Sequence, residues 1–307
     1  MRNVSILSLS FSLEDESAKL NESSILDLVQ ENCTGSEDIV LLPEMCLGNT
    51  ISKPDDAFLN DIAELAAKNK AYILAAIYRK ICDKTHTNSA ILFNRNGEVE
   101  FCYDKMYPYW SEFDRTDSTI IPGDQAVFAD TDFGRVSATV CFDANFPNLW
   151  QDIADLDVEL VLFSSAYSAG RQLMAHALNH HYAIVTATRK PDFAVYDIDG
   201  KELTYRRGDH NQILVSRTRV DLDKVICHYN FNRDKLFKML AEHSMDMELE
   251  QDYDREEWCV IRSLTPEISA KVLCREYGIE SLRDYQHRSR RFIDSARGYR
   301  PLHPNMV

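Results

Sequence analysis

Apolar positions along the chain come in short runs broken by polar turns, and the spacing within each run predicts its element. Val4–Phe11 predicts a first strand, and Ile25, Leu26, Leu28 and Val29 recur at the spacing of a helix that follows it. Ile39–Leu42 is a wholly apolar strand that stops at Pro43-Glu44. Asp55–Asn69 predicts an amphipathic helix with Phe58, Leu59, Ile62 and Leu65 on one face, and Ala71–Lys80 the next strand. Ser89–Asn94 and Glu98–Tyr103 flank Asn96-Gly97, the dipeptide of a tight hairpin turn. A second hairpin over Ala126–Ala138 leads into Val136, Ala138, Thr139 and Val140, a buried strand that runs straight into Cys141. Pro147 is placed to open a helix through Leu149, Trp150 and Ile153, because its fixed φ suits a first helical turn. Beyond it the pattern predicts strand Leu160–Ser164, helix Leu173–His180, strand Ala183–Ala187 and a hairpin over Val195–Tyr205 turned at Asp199-Gly200. A strand over Ile213–Val220 and a helix over Asp234–His243 complete the series. Strand–helix alternation mixed with hairpins implies an α/β protein whose sheets carry helices on their outer faces.

The pattern changes near residue 242. Glu242–Glu257 holds eight acids against one basic residue, Arg255, and reads as a solvated connector. Arg262–Arg300 then carries nine Lys/Arg against five Asp/Glu, with two helical patterns separated by Tyr277-Gly278 and Ser281 as an N-cap. The expected division is a domain over 1–245 and an acidic connector with a helical C-terminal extension over 246–307. Ile268, Val272, Leu273, Leu282, Tyr285 and Phe292 give the tail apolar surface to bury, so it is expected to pack on an acidic body, its own or a dimer mate's.

Composition narrows the function classes. Hydrophobic content of 45% and charged content of 27% are those of a soluble globular protein of 307 residues. A net charge of −15 argues against nucleic-acid binding by the body. No run reaches membrane-spanning length, and MRNVSILSLSFSLEDES lacks the cleavage pattern of a signal peptide. The eight cysteines are scattered without C-x-x-C or zinc-finger spacing, so reduced thiols in the cytoplasm are expected, with no metal and no cofactor.

Three residues with potential chemistry stand just past predicted strands. Cys141 sits at a strand-to-helix elbow, which exposes a sulfur and aims backbone N–H groups at whatever it attacks. Glu44 follows Ile39–Leu42, and Lys105 follows Glu98–Tyr103. Together, in the stretches LLPEMCLG, YDKMYPYW and VCFDANFP, with separations of 61 and 36 residues, the chain resembles the nitrilase, or carbon–nitrogen hydrolase, superfamily. Pro122-Gly123, VLFSSAY, HALNHHYAIVTAT and YDIDGKEL extend the likeness, which covers roughly residues 1–245. The resemblance implies a four-layer α-β-β-α sandwich, a homodimer or higher homo-oligomer, and hydrolysis of a non-peptide C–N bond. It implies Cys141 as nucleophile, Glu44 as base, and Lys105 with the backbone N–H of Phe142 around the oxyanion. A further carboxylate is expected after the lysine; Glu112 fits best by position, with Asp114 and Asp117 as alternatives.

Where many members carry arginine and glutamate after the cysteine, this chain has Ala144 or Asn145, and Asn148. The simplest carboxylate-binding reading for a carbamoyl amino acid is therefore not carried over. Tyr107, Tyr109 and Trp110 are candidates for the wall of a substrate pocket, and Arg171 for contact with an anionic substrate group. An amide or N-carbamoyl amide is the expected substrate, with a nitrile as the alternative. Two rivals come from other classes. His176 and His180 share a helix face but have neither a glutamate between them nor a third ligand for zinc chemistry. The basic tail, with VLCREYGIESLRDY, has a faint helix-turn-helix look that would suit a regulatory or binding protein.

Overall fold

The computed structural model describes residues 2–12, 20–53, 56–209 and 212–298. Fourteen strands build two sheets. The first contains β1 (Asn3–Ser10), β2 (Ile39–Leu41), β3 (Ile51–Ser52), β4 (Tyr72–Cys82), β5 (Thr85–Phe93), β6 (Val99–Asp104) and β7 (Thr119–Ile120). The second contains β8 (Ala129–Thr131), β9 (Gly134–Val140), β10 (Leu160–Ser165), β11 (Ala183–Thr188), β12 (Asp192–Tyr196) and β13 (Glu202–Arg207). The chain then returns as β14 (Leu214–Asp221), antiparallel to β1 at the edge of the first sheet.

Alternation along the strands decides what each face meets. From β1, Val4 and Ile6 point into a core shared with Val136, Ala138, Val140 and Phe163 of the second sheet. Leu7 and Leu9, on the opposite face, pack with α1 (Glu22–Asn32) and α2 (Ala57–Asn69) through Ile25, Val29, Phe58 and Ile62. The far face of the second sheet is covered by α3 (Pro147–Asp155) and α4 (Gly170–His180), with Leu149, Trp150, Ile153, Leu173 and Ala177 wholly buried. The result is the four-layer α-β-β-α sandwich. Burying a large side chain of this kind contributes about 1.5–3 kcal/mol, so the two-residue period of the strands specifies the layering strongly.

Polar bonds tie the two sheets together where the strands end. Ser8 donates to Thr186 O (2.8 Å), Ser10 to Asp192 O (2.8 Å), and Ser164 to Leu42 O (2.7 Å). The last of these links β10 to the residue two positions before Glu44.

The C-terminal part departs from the expected connector. Met247–Tyr253 is a strand, β16, paired with β17 (Trp258–Ser263), which in turn pairs with β15 (Val225–His228). This third sheet packs on α5 (Arg233–Glu242) and α6 (Ala270–Glu276) around Cys227, Leu236, Met239, Ile261 and Leu273, so it draws elements from both sides of residue 245. The acids of β16 are not left to solvent. Glu248 pairs with Arg262, Glu250 with Lys224, and Asp252 accepts from Tyr229 (2.5 Å).

The tail lies on its own body. In α7 (Leu282–Ala296), capped by Ser281, Arg283 donates to the backbone carbonyls of Val158 (2.9 Å), His180 (3.0 Å) and His181. Arg290 pairs with Asp155 (2.7 Å), and Lys271 of α6 pairs with Glu159. Ile268 and Leu273 pack in the third sheet's core, and Leu282 packs beside Trp258, whereas Val272 and Phe292 remain exposed. Residues 299–307 of the tail, with Asp55 and part of the N-terminal stretch, lie outside the described residues. Among the described residues no helix is long and apolar enough to cross a membrane.

Arg283 satisfies carbonyls at the end of α4 and in the loop before β10, and its loss leaves those acceptors without their donor. Arg283→Ala is expected to destabilise the protein by about 1–3 kcal/mol, read as a lowered urea midpoint with unchanged slope.

Candidate active site

Three of the predicted residues converge. Glu44 lies in the turn after β2, Lys105 directly after β6, and Cys141 directly after β9. Lys105 Nζ donates to Glu44 Oε1 (2.8 Å) and Glu112 Oε2 (2.6 Å), and all three side chains are buried. The Cys141 sulfur lies beside the Glu44 carboxylate and the Lys105 ammonium, and next to the backbone of Ala166, the residue after β10. Cys141 adopts φ +51°, a left-handed conformation uncommon for a side chain of this type, at the start of a 3-10 turn over Cys141–Asn145.

Of the three acids considered after the lysine, geometry selects Glu112. It sits in a 3-10 turn over Trp110–Asp114 and accepts from the Tyr109 backbone N–H (2.6 Å) as well as from Lys105. Asp114 is exposed, and Asp117 pairs with Arg115 at the surface. The lysine loop is pinned by Gly123, whose N–H donates to Lys105 O (3.0 Å). A Cβ at Gly123 would fall 2.0 Å from the Asp104 carbonyl oxygen, so only glycine allows the approach.

Two buried residues that sequence reasoning did not single out complete the frame. Asn88, inside β5, donates from Nδ2 to Glu44 Oε1 (2.8 Å) and to Glu112 Oε1 (2.8 Å), bridging the two carboxylates. Its signal was an amide in the middle of the otherwise strand-like run THTNSAILF. Asp143, two residues past the cysteine, accepts from Val140 N (2.9 Å), Tyr103 OH (2.7 Å) and Tyr107 N (3.0 Å), and its carbonyl accepts from Trp150 Nε1 (3.0 Å). One carboxylate thereby clasps the cysteine elbow to the lysine loop.

Burial raises the Asp143 carboxyl to about 7, against the nearby Lys105 charge and its three donors. Burial likewise pushes the Cys141 thiol far up, with the Glu44 charge adding to the effect, so the resting sulfur is protonated. For Glu44 burial acts upward too, but the Lys105 charge and the bonds from Lys105, Cys141 and Asn88 outweigh it and hold the carboxyl below its usual range. Burial works against the Lys105 charge, yet Glu44, Cys141 and Glu112 keep its pKa well above normal.

Aromatic rings stand beside this cluster. Tyr107 stacks on Phe146 at 3.8 Å, and Tyr109 meets Phe142 edge-on at 5.3 Å and Trp110 at 5.5 Å. Phe142 and Phe146 belong to the cysteine elbow and its exit, so Tyr107 and Tyr109 lie next to the Cys141 turn, whereas Trp110 is exposed and packs on Tyr109. Arg171 does not: it is exposed in the first turn of α4, and among the described residues no hydrogen bond or ion pair joins it to the cluster. His176 is packed flat on Trp150 (4.2 Å) and donates to Ala144 O (2.9 Å), a core position. Among the described residues no group of three or more His, Cys, Asp or Glu is placed to hold a metal ion.

A family model described as carbon-nitrogen hydrolase matches residues 16–192, a span that includes Glu44, Lys105 and Cys141. The chain belongs to the carbon–nitrogen hydrolase family. A deaminated glutathione amidase of Yersinia enterocolitica is 32% identical over 88 residues, covering 27% of this chain and 31% of that protein. An omega-amidase of Saccharomyces cerevisiae is 23% identical over 214 residues, covering 63% of this chain and 71% of that protein. The first curated relatives are thus matched over about a third to a half of their length. Among solved structures, a Nesterenkonia amidase variant showing covalent addition of the acetamide moiety of fluoroacetamide at the active site cysteine is similar in fold. Its TM-score is 0.59 at 17% identity, covering 70% of this chain and 90% of that one.

The Asp143 clasp generates a test. In Asp143→Asn one of the three donors faces an amide N–H in place of an acceptor, so a stability loss of about 1–3 kcal/mol is expected in thermal or urea unfolding.

Proposed function

We propose that this protein hydrolyses the C–N bond of a small-molecule amide or N-carbamoyl amide through a thioester on Cys141. The observation that carries the reading is the convergence of a buried thiol, a carboxylate beside it and a lysine held between two carboxylates. The amidase names of the relatives and the covalent cysteine adduct of the Nesterenkonia structure support the same chemistry.

The steps follow from the charges. A thiol this far above its normal pKa needs a base, and Glu44 is the carboxylate within reach. Sγ attacks the carbonyl carbon as its proton passes to Glu44, and negative charge grows on the carbonyl oxygen. Lys105 and the Phe142 backbone N–H stabilise that oxygen, the lysine charge shifting from Glu44 towards the oxyanion as Glu44 becomes neutral. Glu44 returns its proton to the nitrogen, the C–N bond breaks and the amine leaves. A water then gives a proton to Glu44 and adds to the thioester, and the collapse that follows releases the acid and restores the Cys141 thiol. Glu112 and Asn88 are positioning residues here: they hold Lys105 and Glu44 in place and do not exchange protons with substrate.

A screen of simple amides, carbamoyl compounds and nitriles, reading released ammonia, tests the assignment; amide or carbamoyl turnover is expected to exceed nitrile turnover. Cys141→Ala should reduce turnover to background while retaining the cooperative thermal unfolding of the parent. Because Glu44 must be ionised and its pKa is held below the usual carboxylate value of 4.5, activity is expected to persist as pH falls to that value. An acid limb of kcat/KM centred well above it would count against Glu44 as the base.

A further inference from the structure

Eight cysteines are spread along the chain, yet the fold gathers three of them in the core of the C-terminal unit. Cys227 of β15 lies opposite Cys259 of β17 in the antiparallel register, and Cys274 of α6 packs on the same core. The Cys227 and Cys274 sulfurs are 4.0 Å apart, although 47 residues separate them in the chain. All three are free thiols. An S–S bond is about 2.05 Å long, so joining Cys227 to Cys274 requires the two sulfurs to close by about 2 Å. The partner of β15 in that movement is a short helix of seven residues, Ala270–Glu276.

Burial alone would make such a pair inert, but Cys274 is open to small reagents. It lines a cavity of about 340 Å³ at the seam between the body and the C-terminal unit, whereas Cys227 is not on its wall. About 30 Å³ accommodates one water, so hydrogen peroxide fits. Lys271, one turn before Cys274 on α6, and Arg283 line the same cavity. Of the acids on the wall, Glu159 is paired with Lys271 and Arg2, and Asp157 and Asp284 are exposed to solvent, which screens them. Positive charge at this place favours a reaction that expels hydroxide. Contact with Cys274, together with burial, holds the Cys227 thiol well above its ordinary pKa, so Cys227 keeps its proton while Cys274 meets the oxidant.

We propose that Cys227 and Cys274 form a peroxide-responsive dithiol, in which Cys274 is oxidised first and Cys227 resolves it into a disulfide that staples β15 to α6. The Cys274 sulfur attacks one oxygen of hydrogen peroxide, the O–O bond breaks, and the thiol proton leaves with the departing hydroxide as water, which gives a sulfenic acid on Cys274. The Cys227 sulfur then attacks the Cys274 sulfur, the S–O bond breaks, and the Cys227 proton joins the departing hydroxide as a second water. Two thiols are oxidised and one peroxide is reduced to two waters. The reaction uses neither Cys141 nor Glu44, and so stands apart from the hydrolytic reading.

The test treats the full chain, carrying Cys82→Ser to remove the exposed thiol, with graded hydrogen peroxide and maps its cysteines by mass spectrometry after digestion without reduction. A cross-link between Cys227 and Cys274 is expected, absent before treatment and reversed by dithiothreitol. It should raise the thermal midpoint by about 5 °C, because a bond across a loop of this length restricts the unfolded chain. With Cys227→Ser added, oxidation should stop at a Cys274 sulfenic acid that dimedone traps; with Cys274→Ser added, no dimedone adduct should form at Cys227. Peroxide that oxidises Cys141 while Cys227 and Cys274 stay free overturns the proposal, as does a cross-link through Cys259 in their place. Dimedone labelling of Cys227 in preference to Cys274 overturns the order of oxidation, and a cross-link that leaves the midpoint unchanged removes the staple. If either serine variant fails to fold, the cross-link mapped in the Cys82→Ser protein decides alone.

Discussion

A lysine ammonium taken out of water must be compensated locally, and at the centre of this protein Lys105 is compensated by two carboxylates. With Nζ 2.8 Å from Glu44 and 2.6 Å from Glu112, the group is a buried triad. Removing one partner of such a cluster leaves uncompensated charge and costs about 3–5 kcal/mol, whereas the intact arrangement contributes little net stability over an apolar core. The triad is therefore better understood through the reactivity it permits. It holds a carboxylate ionised beside a thiol that burial keeps protonated.

Holding such a cluster requires rigid supports from several parts of the chain, because each side chain has access to other rotamers. Asn88 fixes both carboxylates from the interior of β5, and Gly123 lets the lysine loop pass close to its own strand. Asp143 fastens the elbow to that loop through three donors, while Trp150, pinned between Asp143 O and the His176 ring, ties the elbow to α3 and α4. The left-handed φ of Cys141 is maintained by this clasp. Backbone strain at Cys141 is thus offset by bonds made one to nine residues away in the chain and on two other elements.

The C-terminal unit shows how charge pattern and packing combine. Its acids and bases do attract the body, but through specific short-range pairs: Lys271 with Glu159, Arg290 with Asp155, and Arg283 with three carbonyls. Diffuse attraction would be screened within about 10 Å at ordinary ionic strength. The apolar core between the third sheet, α5 and α6 supplies most of what holds the unit folded.

By itself the sequence determined the local elements and the three strand ends at which Glu44, Lys105 and Cys141 stand. Two-residue and helical periods, the Asn96-Gly97 turn, Pro147 and the Ser281 cap act over a few residues, so β9 ending at Cys141 and α7 beginning at Leu282 were legible without any tertiary contact. Which of Glu112, Asp114 and Asp117 supports the lysine was not, because it depends on how the loop closes over β5. Asn88 and Asp143 acquire their roles only where β2, β5, β6 and β9 come together. The acids of β16 look solvated until Arg262, Lys224 and Tyr229 are brought opposite them. Arg171 stands in the exposed first turn of α4, a placement its residue type does not encode. Periodicity is a property of neighbours in the chain, whereas charge compensation is a property of neighbours in space, and that difference divides what was read early from what the fold decided.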